Sequence, residues 1–251
     1  MSKYVSFPEF RVHSAIKEDV NSAIMGLLAG SQMAVHLLKL TEGSNHLLGE
    51  VFPQIPHIKR LNLTTEDART ILAAADAHLG AMAIPYILGV HEDYMKACLR
   101  LPEKHNSVHL GSANVKSASQ HEKLQDSTAA AFDSDALQQF HLVRKMRNCR
   151  IHTGSEPNFV VGQGSVSFGH RETVATLAIT KNLARQANEI LQTAISRFSW
   201  GEILMQDLDE VGPGLPKDQH QRLRKVRGYA RHFYSALNFS EQEVVTFNAA
   251  Y

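Results

Sequence analysis

Between residues 14 and 40 the apolar positions Ala15, Ile16, Val20, Ile24, Leu27 and Leu28 recur at intervals close to one helical turn, and Ser14 stands ready as an N-cap. The segment reads as an amphipathic helix. Residues 41–63 break the rhythm with Gly43, Gly49, Pro53 and Pro56, the mark of an irregular connection. At Thr64 the pattern resumes, with Asp67 three residues on as expected where a capped helix begins. The apolar spacing then carries the helix to about Leu101, because Tyr86, Ile87, Val90, Tyr94, Cys98 and Leu99 keep the register beyond Pro85. Pro85 removes one backbone donor and is expected to kink or divide this helix, and Pro102 to close it.

Residues 103–130 are polar, rich in Ser, His and Ala, and weakly periodic, so they read as a long surface loop with room for a short helix. From Asp133 or Ser134 the stretch "DALQQFHLVRKMRNCRIH" turns Leu137, Phe140, Val143, Met146 and Cys149 or Ile151 inward, and Gly154 offers a C-cap. "FVVGQGSVSFG" follows, with β-branched residues and Phe on either side of Gly-Gln-Gly, the signature of a small hairpin. To about Ile179 the pattern fits strand or helix equally. Residues 180–198 are a further amphipathic helix with Leu183, Ala187, Ile190 and Ala194 on one face. The chain then changes character, first acidic and broken by Pro and Gly, then basic. Three segments result: an N-terminal helical extension at 1–63, a core at 64–200 and an acidic-then-basic helical tail at 201–251.

Composition narrows the class. With 43% hydrophobic and 20% charged residues, the chain has the apolar content for a packed core and none of the bias of disordered or fibrous sequences. No apolar run approaches the roughly 18 residues that cross a bilayer, and "MSKYVSFPEF" lacks the layout of a signal peptide, which predicts a cytoplasmic protein without a membrane partner. Two cysteines, Cys98 and Cys149, exclude a disulfide framework and a cysteine-rich zinc site. Charge is balanced at 26 basic against 25 acidic residues, so any polyanion site has to be local.

One local arrangement carries chemistry. In "MRNCRIHTG" Asn148 and His152 are four apart, on one face of a helix, with Arg147 on the adjoining flank; His141 and Arg144 extend the stripe backward. An imidazole exchanges protons near neutrality, and a guanidinium grips two phosphate oxygens at once. That pairing suits cleavage of RNA, which brings its own nucleophile in the 2′-hydroxyl and asks only for proton transfer and charge stabilisation, with no metal or other cofactor. The same residues also suit an ordinary helix C-terminus, where cations gain about 0.3–1 kcal/mol from the dipole. One helix alone presents too few groups for a complete site.

The R-N-x-x-x-H pattern at Arg147, Asn148 and His152, ending an amphipathic helix, resembles the signature of the HEPN superfamily of nucleases and nucleotide-associated domains. "PYILGVHEDYMKACL", an aliphatic stretch leading into Glu92, Asp93 and Tyr94, is similar to an earlier helix of that family, and a helix after the motif agrees with its order. The likeness covers about residues 65–200. It implies an all-α, HEPN-like helical bundle, here with a small β-hairpin after the motif helix, forming a homodimer in which two Arg-His sets line one cleft. Active members are metal-independent endoribonucleases that leave a 2′,3′-cyclic phosphate, many of them in toxin-antitoxin or anti-phage systems. Carried over, Arg147 stabilises phosphate charge, Asn148 positions the phosphate or the histidine, and His152 handles a proton, as base or as acid, or contacts the phosphate. Glu92 and Asp93 carry two readings, as partners of Arg147 across helices or as acids on an ordinary helix surface. Other members are non-catalytic nucleotide- or RNA-binding modules partnering a nucleotidyltransferase, the alternative to a nuclease with an antitoxin.

The tail offers a second candidate. On residues 217–231 Arg224, Arg227 and Arg231 share one helical face with Tyr229 nearby, which suits the RNA backbone; it equally suits a basic helix docked on the acidic residues 202–210. His105 and His109 have zinc spacing if helical but no evident third ligand, and His13, His36 and His57 make no better set. Gly162 to Ser165, inside a hairpin, is a turn rather than a phosphate loop.

Overall fold

A computed structural model of the chain describes residues 4–39, 45–60, 62–106, 120–128, 130–153, 159–161, 164–166, 169–211 and 215–251, and within these it describes only the backbone at 59, 103–106, 149–153, 159–161, 164–166 and 211. The fold is almost wholly helical: α1 (Pro8–Lys39), α2 (Leu48–Val51), α3 (Thr65–Ala73), α4 (Ala75–Asn106), α5 (Gln120–Thr128), α6 (Ser134–Thr153), α7 (His170–Ala194), α8 (Arg197–Val211), α9 (Gln219–Phe233) and α10 (Glu241–Ala250). Between α6 and α7, β1 (Phe159–Val161) pairs antiparallel with β2 (Gly164–Val166), Phe159 opposite Val166. No single helix among the described residues is long and apolar enough to cross a membrane.

Several boundaries differ from those the sequence pattern suggests. Helix α1 starts at Pro8, well before Ser14; proline suits a first turn because its missing N–H would have had no intrahelical acceptor. The Thr64 cap forms as a reciprocal box, with Asp67 N–H donating to Thr64 Oγ1 at 3.1 Å and Thr64 N–H donating to Asp67 Oδ2 at 3.0 Å. The interruption then falls at Ala74 rather than at Pro85, and neither Pro85 nor Pro102 ends α4. No breaker marks Ala74. The first turn of α4 instead points Asp76 at the start of α7, whose His170 N–H donates to Asp76 Oδ1 at 2.6 Å. Part of the expected loop is helix α5, and residues 107–119 lie outside the described residues. Helix α7 begins at His170, ahead of residue 180, which resolves the ambiguous stretch as helix.

The chain divides into two compact units that do not follow the order of the sequence: residues 1–17, 88–142 and 178–251 form one, and residues 18–87 and 143–177 the other. Four long helices contribute to both. In the first unit Val5 and Phe7 are sealed from solvent, and Asn188 on α7 holds the segment before α1 by accepting from Val5 N–H at 3.1 Å and donating to Val5 O at 2.6 Å. Phe7 meets Trp200 at 5.8 Å between ring centroids, and Trp200 meets Tyr234 at 6.3 Å. Trp200, Leu204 and Leu208 are buried, so the segment that reads as the start of an acidic tail belongs to the core. Gly201 makes this possible, because a Cβ there would stand 2.4 Å from the Phe247 ring of α10. The second unit gathers Ile24, Ala83 and Ile87 with Val20, Leu28 and Leu177 around them. Leu27, on the apolar pattern of α1, is 57% exposed there.

Candidate functional site

Helix α6 runs unbroken from Ser134 to Thr153, started by Asp133, whose Oδ1 accepts from Ala136 N–H at 2.8 Å. Phe140 and Met146 are buried and anchor its apolar face; Leu137 and Val143 are half-buried. This continuity puts the backbone of His152 one turn beyond Asn148, on the same face. The side chains of His152 and Cys149, and Gly154, which the sequence offers as a C-cap, lie outside what is described.

Arg147 and Asn148 do meet. The guanidinium donates from Nε at 3.1 Å and from Nη2 at 3.0 Å to Asn148 Oδ1, so neighbouring side chains form a fork closed by one carbonyl. Both are half-buried, as is Arg144 one turn earlier, whose Nε is enclosed without an acceptor among the described residues. These three belong to the second unit. His141, half-buried and lying edge-on to Phe140 at 6.0 Å, belongs to the first. So do Glu92 and Asp93 on α4; Asp93 is exposed and accepts from Lys96 at 2.7 Å, a pair one helical turn apart. On α9, Arg224 and Arg231 are exposed and Arg227 is half-buried, with Nη1 3.5 Å from Glu241. Val226 and Ala230 turn inward from the same helix.

A second group of polar side chains is not brought together by sequence reasoning. His13 and Lys17 on α1, His91 on α4 and His121 on α5 are all at least nine-tenths buried in the first unit. His91 and His121 bring their Nε2 atoms to 3.0 Å, one ring donating and the other accepting, and both stand edge-on to Phe140 at 5.2 and 5.0 Å. His13 stacks on Tyr94 at 4.5 Å, and the Lys17 ammonium donates to Thr180 Oγ1. Burial, then the neighbouring Lys17 charge, pushes the His13 imidazole down to about 3; burial, then Lys181, pushes Lys17 down to about 7. His91 sits well below the usual histidine range for the same first reason, reinforced by His121. The only signal for this cluster in the sequence is that histidines fall on apolar helix faces, which core and functional histidines share. Among the described residues no set of three or more His, Cys, Asp or Glu side chains is arranged to hold a metal ion. Cys98 is buried, and burial raises its thiol far above the ordinary range, so it packs as a hydrophobe.

Elsewhere in the same unit Asp207 is a buried carboxylate with both oxygens used: Arg11 Nη2 donates to Oδ1 at 2.5 Å and Tyr234 Oη donates to Oδ2 at 2.9 Å. Arg11 also lies over the Phe233 ring at 4.6 Å. These contacts fasten α1 to α8 and α9. No family model, curated protein or solved structure matches this chain.

Proposed function

We propose that the protein is a metal-independent endoribonuclease of HEPN type that acts as a homodimer. The observation that supports this most is the Arg147–Asn148 fork on an unbroken α6 that carries the His152 backbone one turn further on. A guanidinium held from one side by a carbonyl keeps a fixed direction, which is what stabilising a phosphorane requires. The 2′-oxygen of the substrate attacks the adjacent phosphorus, the bond to the 5′-oxygen breaks, and a 2′,3′-cyclic phosphate and a 5′-hydroxyl result. One proton leaves the 2′-hydroxyl and one reaches the 5′-oxygen. His152 handles one of these transfers, and Arg147 opposes the charge that builds on phosphorus between them. A single α6 supplies one such histidine, so pairing two copies of the helix brings two imidazoles and two guanidiniums to one phosphodiester.

Unrestrained cleavage of RNA damages the cell that makes the enzyme. The reading therefore extends to a toxin or anti-phage effector in the cytoplasm, held in check by an antitoxin or a nucleotidyltransferase partner. The test is cleavage of RNA in EDTA by wild type, Arg147→Ala and His152→Ala, with circular dichroism to establish that each is folded. Cyclic-phosphate ends from wild type and their loss from both variants are expected. An inactive wild type or fully active variants would overturn the proposal, and RNA or nucleotide binding without turnover, unaffected by His152→Ala, would mark a non-catalytic binding module instead.

A further inference from the structure

Between α9 and α10 in the first unit lies a cavity of about 390 Å³, within the usual range for small-molecule sites. Arg227 and Arg231, four apart on α9, reach it from successive turns, and Glu241 at the start of α10 is the carboxylate in its lining. Two guanidiniums against one carboxylate leave the lining positive. The two arginines are also poorly used by the protein: Arg227 Nη1 is 3.5 Å from Glu241, its Nε is buried without an acceptor among the described residues, and Arg231 is exposed. Arg197, close by in the same unit, shows the contrast. Glu243 clasps it, with Nη2 donating to Oε2 at 2.9 Å, Nη1 donates to Leu237 O at 2.9 Å, and its plane lies over the Phe239 ring. That arginine is fully committed to structure.

The remaining wall is mixed, with Ser235 and Asn238 polar and Ala230, Phe239 and Val244 apolar. Tyr234 lies behind this wall, fully buried and with its hydroxyl taken by Asp207, so the ring within reach of an occupant is that of half-buried Phe239. We propose that this cavity binds a phosphomonoester carried on an organic body, with the phosphate between Arg227 and Arg231 and the body against Phe239. A phosphomonoester brings close to two negative charges at pH 7 and three acceptor oxygens, which match two planar donor forks better than a carboxylate does. The same chemistry occurs in a free nucleoside monophosphate and at the phosphorylated 5′ end of an RNA strand. The inference uses residues that the sequence marks for RNA but no step of the cleavage assigned to Arg147 and His152.

Calorimetric titration of the full chain with adenosine 5′-monophosphate, adenosine and two 2′-O-methyl RNA oligomers, one 5′-phosphorylated and one with a 5′-hydroxyl, tests it without turnover. Saturable binding of the monophosphate is expected, weakened about tenfold or more for adenosine and for Arg231→Gln, because a hydrogen-bonded charge is lost in each case. Arg224→Gln removes the same charge from the same helix outside the cavity and is expected to change affinity by less than about twofold; Glu241→Gln is expected to tighten binding by removing the opposing carboxylate. Binding of the phosphorylated oligomer with the same dependence on Arg231 would assign the site to RNA ends, and binding of the monophosphate alone to free nucleotides. Equal affinity for adenosine and its monophosphate, equal losses in Arg224→Gln and Arg231→Gln, or no saturable binding would overturn the site.

Discussion

The buried histidines of the first unit and the Arg144, Arg147 and Asn148 side chains of α6 in the second are both sets of polar groups carried on helices, yet they stand in different surroundings. His13, His91 and His121 are enclosed by aromatic rings, with Lys17 beside them, and burial drives His13 and His91 toward their neutral forms. Arg144, Arg147 and Asn148 are only half-buried, so part of each side chain stays within reach of solvent. The lesson is that burial and the surrounding charges, together with residue identity, decide whether a basic side chain is packed into the core or left at the surface.

The largest effect expected from breaking this contrast is on the α6 side: Arg147→Ala and His152→Ala each lower metal-independent RNA cleavage by about a hundredfold or more, measured as initial rates, while leaving the circular dichroism of the helices in place. Next is Asp207→Ala, which leaves Arg11 and the Tyr234 hydroxyl without their shared carboxylate and is expected to cost about 3 kcal/mol, read by urea denaturation. A loss below about 1 kcal/mol would mean that water replaces the carboxylate and that the pair is peripheral to stability.

The pH dependence of stability probes the buried side directly. Below pH 6.5 the unfolded chain takes up a proton on His13 that the folded chain refuses until about pH 3, so stability falls as pH falls across that window; His91 acts in the same direction. For Lys17 the unfolded chain holds a proton up to 10.5 and the folded chain only to about 7, so stability continues to rise between those values. At pH 5 His13 alone contributes a loss of about 2 kcal/mol relative to pH 7. Melting temperatures at constant ionic strength should therefore climb from pH 5 through pH 9, and a flat profile between 5 and 7 would count against a neutral, buried cluster. The smallest effect is expected from Asp76→Ala, which removes the acceptor for the first amide of α7 at a cost of about 1 kcal/mol, visible as a modest shift of the urea midpoint.

Local signals in the sequence were reliable where the cause was local. The Thr64–Asp67 capping box, the Asp133 start of α6 and the helical spacing of Phe140 and Met146 depend on residues within a turn or two of each other, and each is present in the fold. The proximity of Arg147 to Asn148 is equally a consequence of adjacency on a helix. The break at Ala74 had no such cause: nothing nearby in sequence asks for it, and the acceptor it presents to α7 comes from 94 residues away. Trp200, Leu204 and Leu208 were obscured for a related reason, because the acids among them read as surface, and only packing against distant helices shows which side faces inward.

What the sequence by itself determined is the helical class, most of the helix positions and the placing of arginine, asparagine and histidine on one helix, since period and capping are properties of short stretches. Tertiary structure alone decided that His13, Lys17, His91 and His121 share a buried site, that Asp207 joins Arg11 to Tyr234, and that Arg227 and Arg231 border a cavity while Arg224 does not. The physical reason is that desolvation and charge pairing depend on which distant helices pack together, and no spacing along one helix records that.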